Sequence, residues 1–283
     1  LDNLQTGNIE NIAEFEQNQN FTFIEHDIRS PLNQNLEVDY IYNLACPASP
    51  KKYQSEPIST IETCTTGVIN LLDFALKKKI GFFHASTSEI YGDPLEHPQK
   101  ESYFGNVNCF GPRSCYDEGK RCSETIIYDY FKKTDLDIKV VRIFNTYGPY
   151  MDVDDGRVVS NFIVQSLKGE DLTIYGDGKQ TRSLCYVDDL LDGFESFRKF
   201  KDKKIGPVNL GNPSEITIEQ LAMTIIKQTK SKSKPSFQKL PKDDPKIRKP
   251  DIAIAKELFS FTPSNSLESG LEKTIAYFKS KVQ

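Results

Sequence analysis

The apolar residues of the first half of the chain alternate between short continuous runs and longer runs with helical spacing. The short runs are rich in β-branched and aromatic residues and predict strands at Phe21–Glu25, Asp39–Ala45, Ile80–Ser86 and Lys139–Phe144. Apolar steps of three and four predict a helix over Ile58–Leu76, and a second helix is predicted over Ser114–Lys133. Alternating strands and helices predict an α/β fold whose parallel sheet is covered on both faces.

The pattern changes after Asn145, where the apolar runs become shorter. Glycine, proline and aspartate interrupt the chain at short intervals, for example in Gly176-Asp177-Gly178. We therefore predict a sheet domain over residues 1–150 and a smaller lobe mainly over residues 151–283. Segments near residues 183–210 are apolar enough to return to the sheet domain.

Composition and charge exclude several classes of protein. Of the 283 residues, 37% are hydrophobic and 27% charged, which is ordinary for a globular chain. The net charge of −4 gives no electrostatic basis for binding nucleic acid. The apolar runs are far shorter than the roughly 20 residues of a membrane span. Six scattered cysteines and three scattered histidines lack metal-ligand spacing, so we predict reduced thiols and no metal site.

The most informative chemistry is a tyrosine followed by a lysine four residues later, Tyr116 and Lys120. On a helix these two side chains share one face, so the ammonium group lies near the phenol. A nearby cation favours the phenolate, and such a tyrosine serves as a general base near neutral pH. The same spacing also arises by chance as an exposed tyrosine and lysine.

A run of hydroxyl residues follows the strand predicted at Ile80–Ser86. Thr87 and Ser88 precede Glu89 at the carboxyl end of that strand, which is where parallel α/β sheets bind their ligands. The alternative is a polar strand end that caps its own turn, with Glu89 as a surface acid.

Several longer motifs resemble those of the UDP-glucuronate decarboxylases (UDP-xylose synthases), which belong to the extended short-chain dehydrogenase/reductase family. They are Ala85-Ser86-Thr87-Ser88-Glu89-Ile90-Tyr91-Gly92-Asp93-Pro94, Cys115-Tyr116-Asp117-Glu118-Gly119-Lys120-Arg121, Tyr175-Gly176-Asp177-Gly178-Lys179-Gln180-Thr181-Arg182 and Arg248-Lys249-Pro250-Asp251. The resemblance runs from Leu1 to the final helix. It implies a Rossmann-like dinucleotide-binding domain followed by a smaller C-terminal lobe for the nucleotide-sugar substrate.

The resemblance also implies a reaction on UDP-glucuronate with NAD as cofactor. Tyr116 would take the proton of the sugar 4-hydroxyl during oxidation at C4, while Lys120 holds the nicotinamide ribose and Thr87 hydrogen-bonds the phenol. The resulting 4-keto sugar would lose its carboxylate as CO2, and NADH would then reduce it to UDP-xylose. Glu89 and Arg182 match the residues associated with decarboxylation and reprotonation.

Two sets of binding residues follow from the same resemblance. Besides Tyr116 and Lys120, the residues expected at NAD are Asp2, Asn3, Thr6, Gly7, Asp27, Ile28, Leu44, Thr63 and Ala85. The residues expected at the substrate are Asn145, Arg157, Asn161, Tyr175, Arg182, Arg248 and Asp251. For Arg182 the alternative is a surface cation in a hairpin, and for Arg248 it is a member of a solvated lysine cluster.

The chain departs from this family pattern at its start, where no glycine-rich phosphate-binding turn is present. Leu1-Asp2-Asn3 resembles the end of a second strand, so the first strand, the glycine turn and the first helix are missing from the sequence. We favour a fragment of a longer protein over a protein that begins here. Two other functions stay open, a non-catalytic nucleotide-sugar-binding or partner subunit and a UDP-sugar 4-epimerase.

Assembly and compartment are the last expectations. The helices predicted at Ile58–Leu76 and Ser114–Lys133 match those through which family members form a homodimer, so we expect a homodimer. No membrane segment is present in the sequence. We expect a cytoplasmic protein, or one of the Golgi lumen if an anchor precedes Leu1.

Overall fold

The computed structural model describes residues 1–201, 206–239 and 247–282. Its helices are α1 (Pro50–Ser55), α2 (Pro57–Glu62), α3 (Val68–Lys78), α4 (Ser114–Lys133), α5 (Val158–Lys168), α6 (Val187–Lys199), α7 (Ile218–Thr229), α8 (Ala253–Phe259) and α9 (Leu267–Lys281). Its strands are β1 (Tyr40–Asn43), β2 (Gly81–Thr87), β3 (Ile138–Ile143), β4 (Thr146–Tyr147), β5 (Leu172–Tyr175), β6 (Thr181–Ser183), β7 (Cys185–Tyr186), β8 (Val208–Leu210), β9 (Glu215–Thr217) and β10 (Pro235–Gln238). Turns of 3₁₀-helix cover Ile9–Phe15 and Ser88–Tyr91, and a π-helical turn covers Thr63–Gly67 between α2 and α3.

Within the described residues, four parallel strands form a sheet in the order β1-β2-β3-β8. Neighbouring side chains of the central strands point to opposite faces. Phe82 and Val140 pack with α3 and α4, whereas Phe83 and Val141 pack with α6 and α8. Because both faces are covered, β2 and β3 are buried at nearly every position instead of at alternate ones. The predicted α/β class with a Rossmann-like parallel sheet is confirmed.

The fourth strand of this sheet comes from the second half of the chain. Strand β8 pairs with β3 in parallel register, and α6 covers the same face through Leu190, Phe194 and Phe197. The segment from α6 to β8 therefore completes the sheet that the first half begins.

A separate apolar cluster lies under α5, α7 and α9. Phe162, Leu221, Leu271 and Phe278 are almost fully buried in it, together with Leu172 of β5. A capping box at Thr217 and Gln220 fixes the start of α7, because each side chain bonds the main-chain N–H of the other residue. This cluster gives the second half of the chain a core of its own.

The strand predicted at Phe21–Glu25 is wrong. Within the described residues this segment makes a single parallel bridge, between Glu25 and Asp2, closed by the hydrogen bonds Asp2 N to Ile24 O and His26 N to Asp2 O. Leu1-Asp2-Asn3 turns away at Leu4, which has a left-handed backbone with φ 54°. The pairing therefore ends after one residue despite the β-branched and aromatic content.

The helix predicted over Ile58–Leu76 forms as α2, the π-helical turn and α3, and its apolar stripe is divided between two environments. Val68 and Leu72 are buried against the sheet, whereas Ile58 is 69% exposed and Ile69 is 38% exposed. Ile61 and Leu76 are exposed as well. The extra residue of a π turn rotates α3 relative to α2. Residues spaced by three and four along the sequence therefore do not share one face across the turn.

Candidate active site

Strand β2 ends in a hydroxyl-rich turn at the carboxyl edge of the sheet. Thr87 is the N-cap of the 3₁₀ turn Ser88–Tyr91, and its Oγ1 accepts a hydrogen bond from the main-chain N–H of Glu89 at 3.2 Å. Thr87 therefore caps its own turn, as the alternative interpretation predicted. The cap also fixes Glu89 at the edge where parallel α/β sheets bind ligands.

Helix α4 brings Tyr116 and Lys120 to the same edge, one turn apart and both buried. Lys120 Nζ donates a hydrogen bond to the main-chain oxygen of Ala85 at 2.8 Å, which uses one of the three donors of the ammonium group. The ring of Tyr116 stacks on that of Tyr53, with centroids 5.0 Å apart and an interplanar angle of 4°. The arrangement contradicts the alternative of an exposed tyrosine and lysine.

The surroundings of Tyr116 hold its phenol in the neutral form. Burial raises the pKa of Tyr116 well above its usual value, and the electrostatic effects of Cys46, Glu89 and Cys64 act in the same direction. A side-chain hydrogen bond with Thr87 acts in the opposite direction and lowers the pKa. The spacing of Tyr116 and Lys120 predicted a lowered pKa for the phenol. The protein groups shift this pKa in the other direction, because desolvation is the largest cause.

Glu89 lies at the centre of a cluster of two arginines and two carboxylates. Its Oε1 accepts from Arg248 Nη1 at 3.0 Å, and its Oε2 accepts from Arg113 Nη2. Arg113 Nε in turn lies 3.7 Å from Asp117 Oδ2, one turn along α4. The cluster therefore joins the β2 turn, α4 and the segment that carries Arg248.

Arg248 is only 2% exposed, which contradicts the alternative of a solvated lysine-rich cluster. Its guanidinium also donates to Ser88 Oγ at 2.9 Å and to the main-chain oxygen of Gly92 at 3.0 Å, while its buried Nε finds no hydrogen-bond partner among the described residues. The structure therefore places Arg248 beside the strand-end hydroxyls.

The two carboxylates of the cluster have opposite pKa shifts. Burial raises the pKa of Glu89, but the charges and hydrogen bonds of Arg248 and Arg113 outweigh it and leave the pKa below its ordinary value. Burial and the charge of Glu89 raise the pKa of Asp117 to about 7, against the opposing effect of the arginines. Glu89 is therefore ionised at neutral pH, while Asp117 titrates near it.

The expected substrate residue Arg157 lies at the start of α5. Its guanidinium binds Asp155 through Nε at 2.6 Å and Nη2 at 2.8 Å. Burial lowers the pKa of Arg157, but the hydrogen bonds and the charge of Asp155 raise it overall. The Arg157 side chain is 43% exposed.

Arg182 lies on β6, and its Nη1 donates to the main-chain oxygen of Thr181 at 2.9 Å. The partner strand β9 carries Glu215, which accepts from Thr181 Oγ1 at 2.7 Å and lies 3.2 Å from Lys249 Nζ. Lys249 is next to Arg248 in sequence. Thr181, Glu215 and Lys249 therefore link the strand of Arg182 to the segment that carries Arg248.

The remaining expected substrate residues have local structural roles. Asn161 Nδ2 donates to the main-chain oxygen of Gly156 at 3.0 Å, and the main-chain oxygen of Asn145 accepts from Cys185 N at 2.9 Å. Tyr175 ends β5 with 43% of its surface exposed. Asp251 Oδ1 accepts from Ala253 N at 2.9 Å, at the start of α8. These contacts do not bring the four residues together.

The expected cofactor residues near the N-terminus form one connected group. Asn3 Nδ2 donates to Asp27 Oδ2 at 2.9 Å, and Asp2 Oδ1 accepts from the main-chain N–H of Leu4 at 2.7 Å. A Cβ at Gly7 would lie only 3.0 Å from Asp2 Oδ1. Thr6 lies exposed in the same turn. Asp27 is engaged by Arg29, whose hydrogen bonds lower its pKa.

The other expected cofactor residues lie on several different segments. Leu44 follows β1 with 56% of its surface exposed, and the main-chain oxygen of Ile28 accepts from Asn70 Nδ2 at 2.9 Å. Thr63 begins the π-helical turn, and Ala85 holds Lys120. Among the described residues, no group of three or more histidine, cysteine, aspartate or glutamate side chains is placed to hold a metal ion.

Sequence reasoning did not single out Arg113 and Asp117 as site residues. Their only local signal is the spacing of four residues on one helix face, which is typical of an ordinary surface ion pair. Their contact with Glu89 depends on tertiary structure, because Glu89 lies before α4 on a different element.

A buried tyrosine–lysine pair on a helix, beside the hydroxyl-rich end of a parallel-sheet strand, defines the extended short-chain dehydrogenase/reductase class. A family model described as GDP-mannose 4,6 dehydratase matches residues 1–274. The chain is 48% identical over 282 residues to UDP-glucuronic acid decarboxylase 4 of Arabidopsis thaliana, covering 100% of this chain and 63% of that protein. It is 48% identical over 270 residues to UDP-glucuronic acid decarboxylase 3 of the same plant, covering 95% of this chain and 78% of that protein.

The chain belongs to the GDP-mannose 4,6 dehydratase family and, within it, to the group of UDP-glucuronic acid decarboxylases. It spans about 63% of the length of the first of these relatives. Among solved structures, UDP-glucuronic acid 4-epimerase from Bacillus cereus, in complex with UDP-glucuronic acid and NAD, is similar with a TM-score of 0.84 and 28% identity. That similarity covers 96% of this chain and 86% of the epimerase chain.

Proposed function

We propose that this protein is an NAD-dependent UDP-glucuronate decarboxylase that forms UDP-xylose and CO2 through a 4-keto sugar. The observation that carries the proposal is the burial of Tyr116 and Lys120 side by side, at the sheet edge where Thr87 and Glu89 also lie. Relatives at 48% identity that are named as UDP-glucuronic acid decarboxylases support the choice of substrate.

The donor set along this edge fits NAD. Lys120 keeps donors beyond its bond to Ala85, and these would hold the hydroxyls of the nicotinamide ribose. The exposed carboxylate of Asp2 would accept hydrogen bonds from the adenosine ribose, and Leu44 and Thr63 would lie along the cofactor between the two ends. When bound, NAD⁺ supplies the acceptor for the hydrogen at C4 and a positive charge near the phenol.

Tyr116 would move the proton of the sugar 4-hydroxyl. Because burial raises its pKa, the phenol binds a proton firmly and needs positive charge beside it before it can act as a base. Lys120, one turn along α4, supplies such a charge from the protein, and Thr87 orients the phenol oxygen. Because its pKa is raised, the phenol would also retain this proton until the sugar oxygen at C4 is protonated again.

Loss of CO2 follows from the chemistry of the 4-keto sugar, a β-keto acid. As the C5–C6 bond breaks, its electrons move toward the C4 carbonyl, and C5 later receives a proton. A charged Glu89 near C5 would repel the carboxylate at C6 of the sugar and so favour its loss as CO2. Arg248 and Arg113 keep Glu89 charged. Arg182 would bind the substrate carboxylate as it approaches, because a guanidinium matches a carboxylate with two donors.

The second candidate is a UDP-sugar 4-epimerase, favoured by the structural similarity to UDP-glucuronic acid 4-epimerase. Both reactions pass through a 4-keto sugar, and they differ in whether the carboxylate leaves. A non-catalytic nucleotide-sugar-binding subunit is the third candidate, and it would bind a UDP-sugar without turnover.

The deciding experiment is product analysis of the protein expressed with any sequence that precedes Leu1 in its gene. Incubation with UDP-glucuronate labelled with ¹³C at C6, together with NAD⁺, is expected to give UDP-xylose and labelled CO2. UDP-galacturonate with the label retained would instead establish the epimerase. Binding of UDP without any product would establish the non-catalytic subunit.

We also propose that the protein is a homodimer that covers the exposed apolar residues of α2 and α3. Ile58, Ile61, Ile69 and Leu76 stay exposed although their neighbours are buried. Isolated apolar residues are common on surfaces, but several exposed apolar residues within one helical segment are typical of an interface. Light scattering at micromolar concentration is expected to give twice the mass of the chain.

We propose the cytoplasm as the compartment. No described helix combines the length and the apolar character that crossing a bilayer requires. All six cysteines are free, and Cys109 and Cys122 are exposed, which suits a reducing compartment. Fractionation of cells that express the full gene product tests this, and recovery from the Golgi lumen would contradict it.

A further inference from the structure

Two cysteines meet beside the candidate active site, one from the loop after β1 and one from the π-helical turn. Cys46 Sγ lies 3.4 Å from Cys64 Sγ, although the residues are 18 positions apart in sequence. A disulfide bond is about 2.05 Å long, so the sulfurs must approach by a little over 1 Å to bond. We propose that Cys46 and Cys64 form a reversible disulfide in the presence of peroxide, and that this disulfide switches the enzyme off.

The position of Cys64 is fixed from the side of α4. Its main-chain oxygen accepts a hydrogen bond from Ser123 Oγ at 2.6 Å. A Cβ placed on Gly119 would lie only 3.1 Å from Cys64 Cβ and 3.3 Å from its Sγ, so the thiol has no room to retreat toward α4. Cys46 lies in a loop and is partly exposed, so it is the partner that can move.

The local charges make Cys64 the reactive thiol. The hydrogen bond from Cys46 lowers the pKa of Cys64 to about 7, and the charge of Lys120 acts in the same direction against burial. Burial and the same hydrogen bond raise the pKa of Cys46. One thiolate beside one thiol is the arrangement that peroxide converts to a disulfide.

The chemistry balances with hydrogen peroxide as the oxidant. The Cys64 thiolate attacks one peroxide oxygen, the O–O bond breaks, and the departing hydroxide takes up a proton to become water. Cys64 is then a sulfenic acid. The Cys46 sulfur attacks it, the S–O bond breaks, and the hydroxyl leaves with the thiol proton as a second water. Each sulfur gives up one electron, and a dithiol reductant reverses the change.

The effect on activity rests on the proposed function. Cys46 lies two residues after Leu44, and Cys64 directly follows Thr63, both of which are expected to contact NAD. Drawing the sulfurs together would pull the loop that carries Leu44 toward the π-helical turn that carries Thr63. It would thereby narrow the gap between this loop and the turn. A misplacement of about 1 Å in an active site can cost roughly 100-fold in rate, so we expect a loss of at least about tenfold.

The first test is peptide mapping in a Cys109→Ser/Cys122→Ser background, which removes the exposed thiols. After peroxide treatment, free thiols are alkylated in denaturant and the digest is analysed by mass spectrometry. We expect a Cys46–Cys64 cross-linked peptide that dithiothreitol abolishes. Full alkylation of both residues, or pairing with the nearby Cys115 instead, would overturn the proposal. This readout needs no activity, so it is independent of the proposed reaction.

The second test compares turnover before and after oxidation. The background protein is expected to lose activity by at least about tenfold and to regain it with dithiothreitol, whereas Cys46→Ser is expected to resist peroxide. Equal inactivation of the Cys46→Ser variant, or full activity of the cross-linked protein, would refute the switch. If no activity is found at all, the proposed function fails. Calorimetry of NAD binding with and without the cross-link then still decides whether the disulfide closes the site.

Discussion

The ammonium group of Lys120 donates a hydrogen bond to the main-chain oxygen of Ala85 across 2.8 Å and so joins the middle of α4 to β2. This bond determines how the helix faces the sheet edge. Replacing Lys120 with methionine keeps the apolar stem and removes the donor and the charge. We expect Lys120→Met to lower kcat/KM by at least about 100-fold, since a positioned acid–base system contributes 10²–10⁴-fold.

The control for that variant is Lys139→Met, which removes another buried lysine. Lys139 lies on β3 and pairs with Asp137 at 3.1 Å, away from Tyr116. It is expected to lower the free energy of unfolding while kcat/KM stays within about twofold, because Lys139 lies near the start of β3 and the site lies at the carboxyl end of the sheet. A twofold change in rate corresponds to only about 0.4 kcal/mol of barrier. Steady-state kinetics with chemical denaturation separates the two effects, and equal kinetic losses would contradict a special role for Lys120.

Tyr116→Phe is expected to abolish nearly all turnover, because it removes the group that moves the proton of the 4-hydroxyl. Tyr53→Phe makes the same chemical change on the ring that stacks against it. Within the part of the chain that the structure describes, the buried hydroxyl of Tyr53 has no hydrogen-bond partner, so its removal is expected to leave kcat unchanged. Turnover retained by the Tyr116 variant would exclude this phenol as the base.

Asp117 is expected to make stability depend on pH. Its pKa is about 7 in the folded protein against an ordinary value of 3.8, so between these values the folded state binds the extra proton. Stability therefore falls as pH rises through this window. Above it the loss is complete and no longer changes with pH. The total is at most about 4 kcal/mol, at 1.36 kcal/mol per pKa unit.

Asp117→Asn removes this titration. Measured by urea denaturation from pH 4 to pH 8, the stability of the variant relative to the parent is expected to rise with pH until about pH 7 and then level off. A difference that is independent of pH would show that Asp117 titrates normally in the folded protein.

The pair Glu89 and Arg248 is expected to be strongly coupled. Arg248→Met leaves a partly buried carboxylate with one arginine fewer and is expected to cost about 3–5 kcal/mol of unfolding free energy. Adding Glu89→Gln is expected to restore part of this loss, because the uncompensated charge is then absent. Additive losses in the double variant would refute the coupling.

Glu37→Gln serves as a control at an exposed ion pair with Lys78, where the change in unfolding free energy is expected to stay below about 1 kcal/mol.

The proposed dimer gives a fifth prediction. Ile69→Glu places a charge in the exposed apolar row of α3 and is expected to convert the dimer to a monomer by light scattering. Met223→Glu makes a comparable change at a residue of α7 that is 52% exposed, and it is expected to leave the mass unchanged. A monomeric parent protein would contradict the proposal.

The sequence predicted the elements whose signals are local. The apolar runs around Phe83 and Val141 and the helix Ser114–Lys133 correspond to β2, β3 and α4, because burial on both faces requires continuous apolar strands. The spacing of Tyr116 and Lys120 also carries its own geometry, since residues four apart on a helix share a face.

Features that depend on distant partners were not predictable in the same way. The β-branched content of Phe21–Glu25 indicated a strand, but a strand needs a neighbour of matching length, and Asp2 supplies only one bridge. The π-helical turn that redirects Ile58 and Ile69 to the surface has no clear mark in the apolar spacing. The contact of Arg248 with Glu89 joins residues 159 positions apart, so the family resemblance could name both residues without indicating that they pair.

The place of β8 at the edge of the parallel sheet has a consequence for biosynthesis. While the ribosome is still making the middle of the chain, β1, β2 and β3 are complete, but β3 has an open edge and Phe83 and Val141 have no cover. Helix α6 and β8 supply both only after Leu210 has emerged. The nascent polypeptide therefore depends on chaperones or on rapid elongation until that point, and a stop codon before Val208 would leave a product that aggregates instead of a working half.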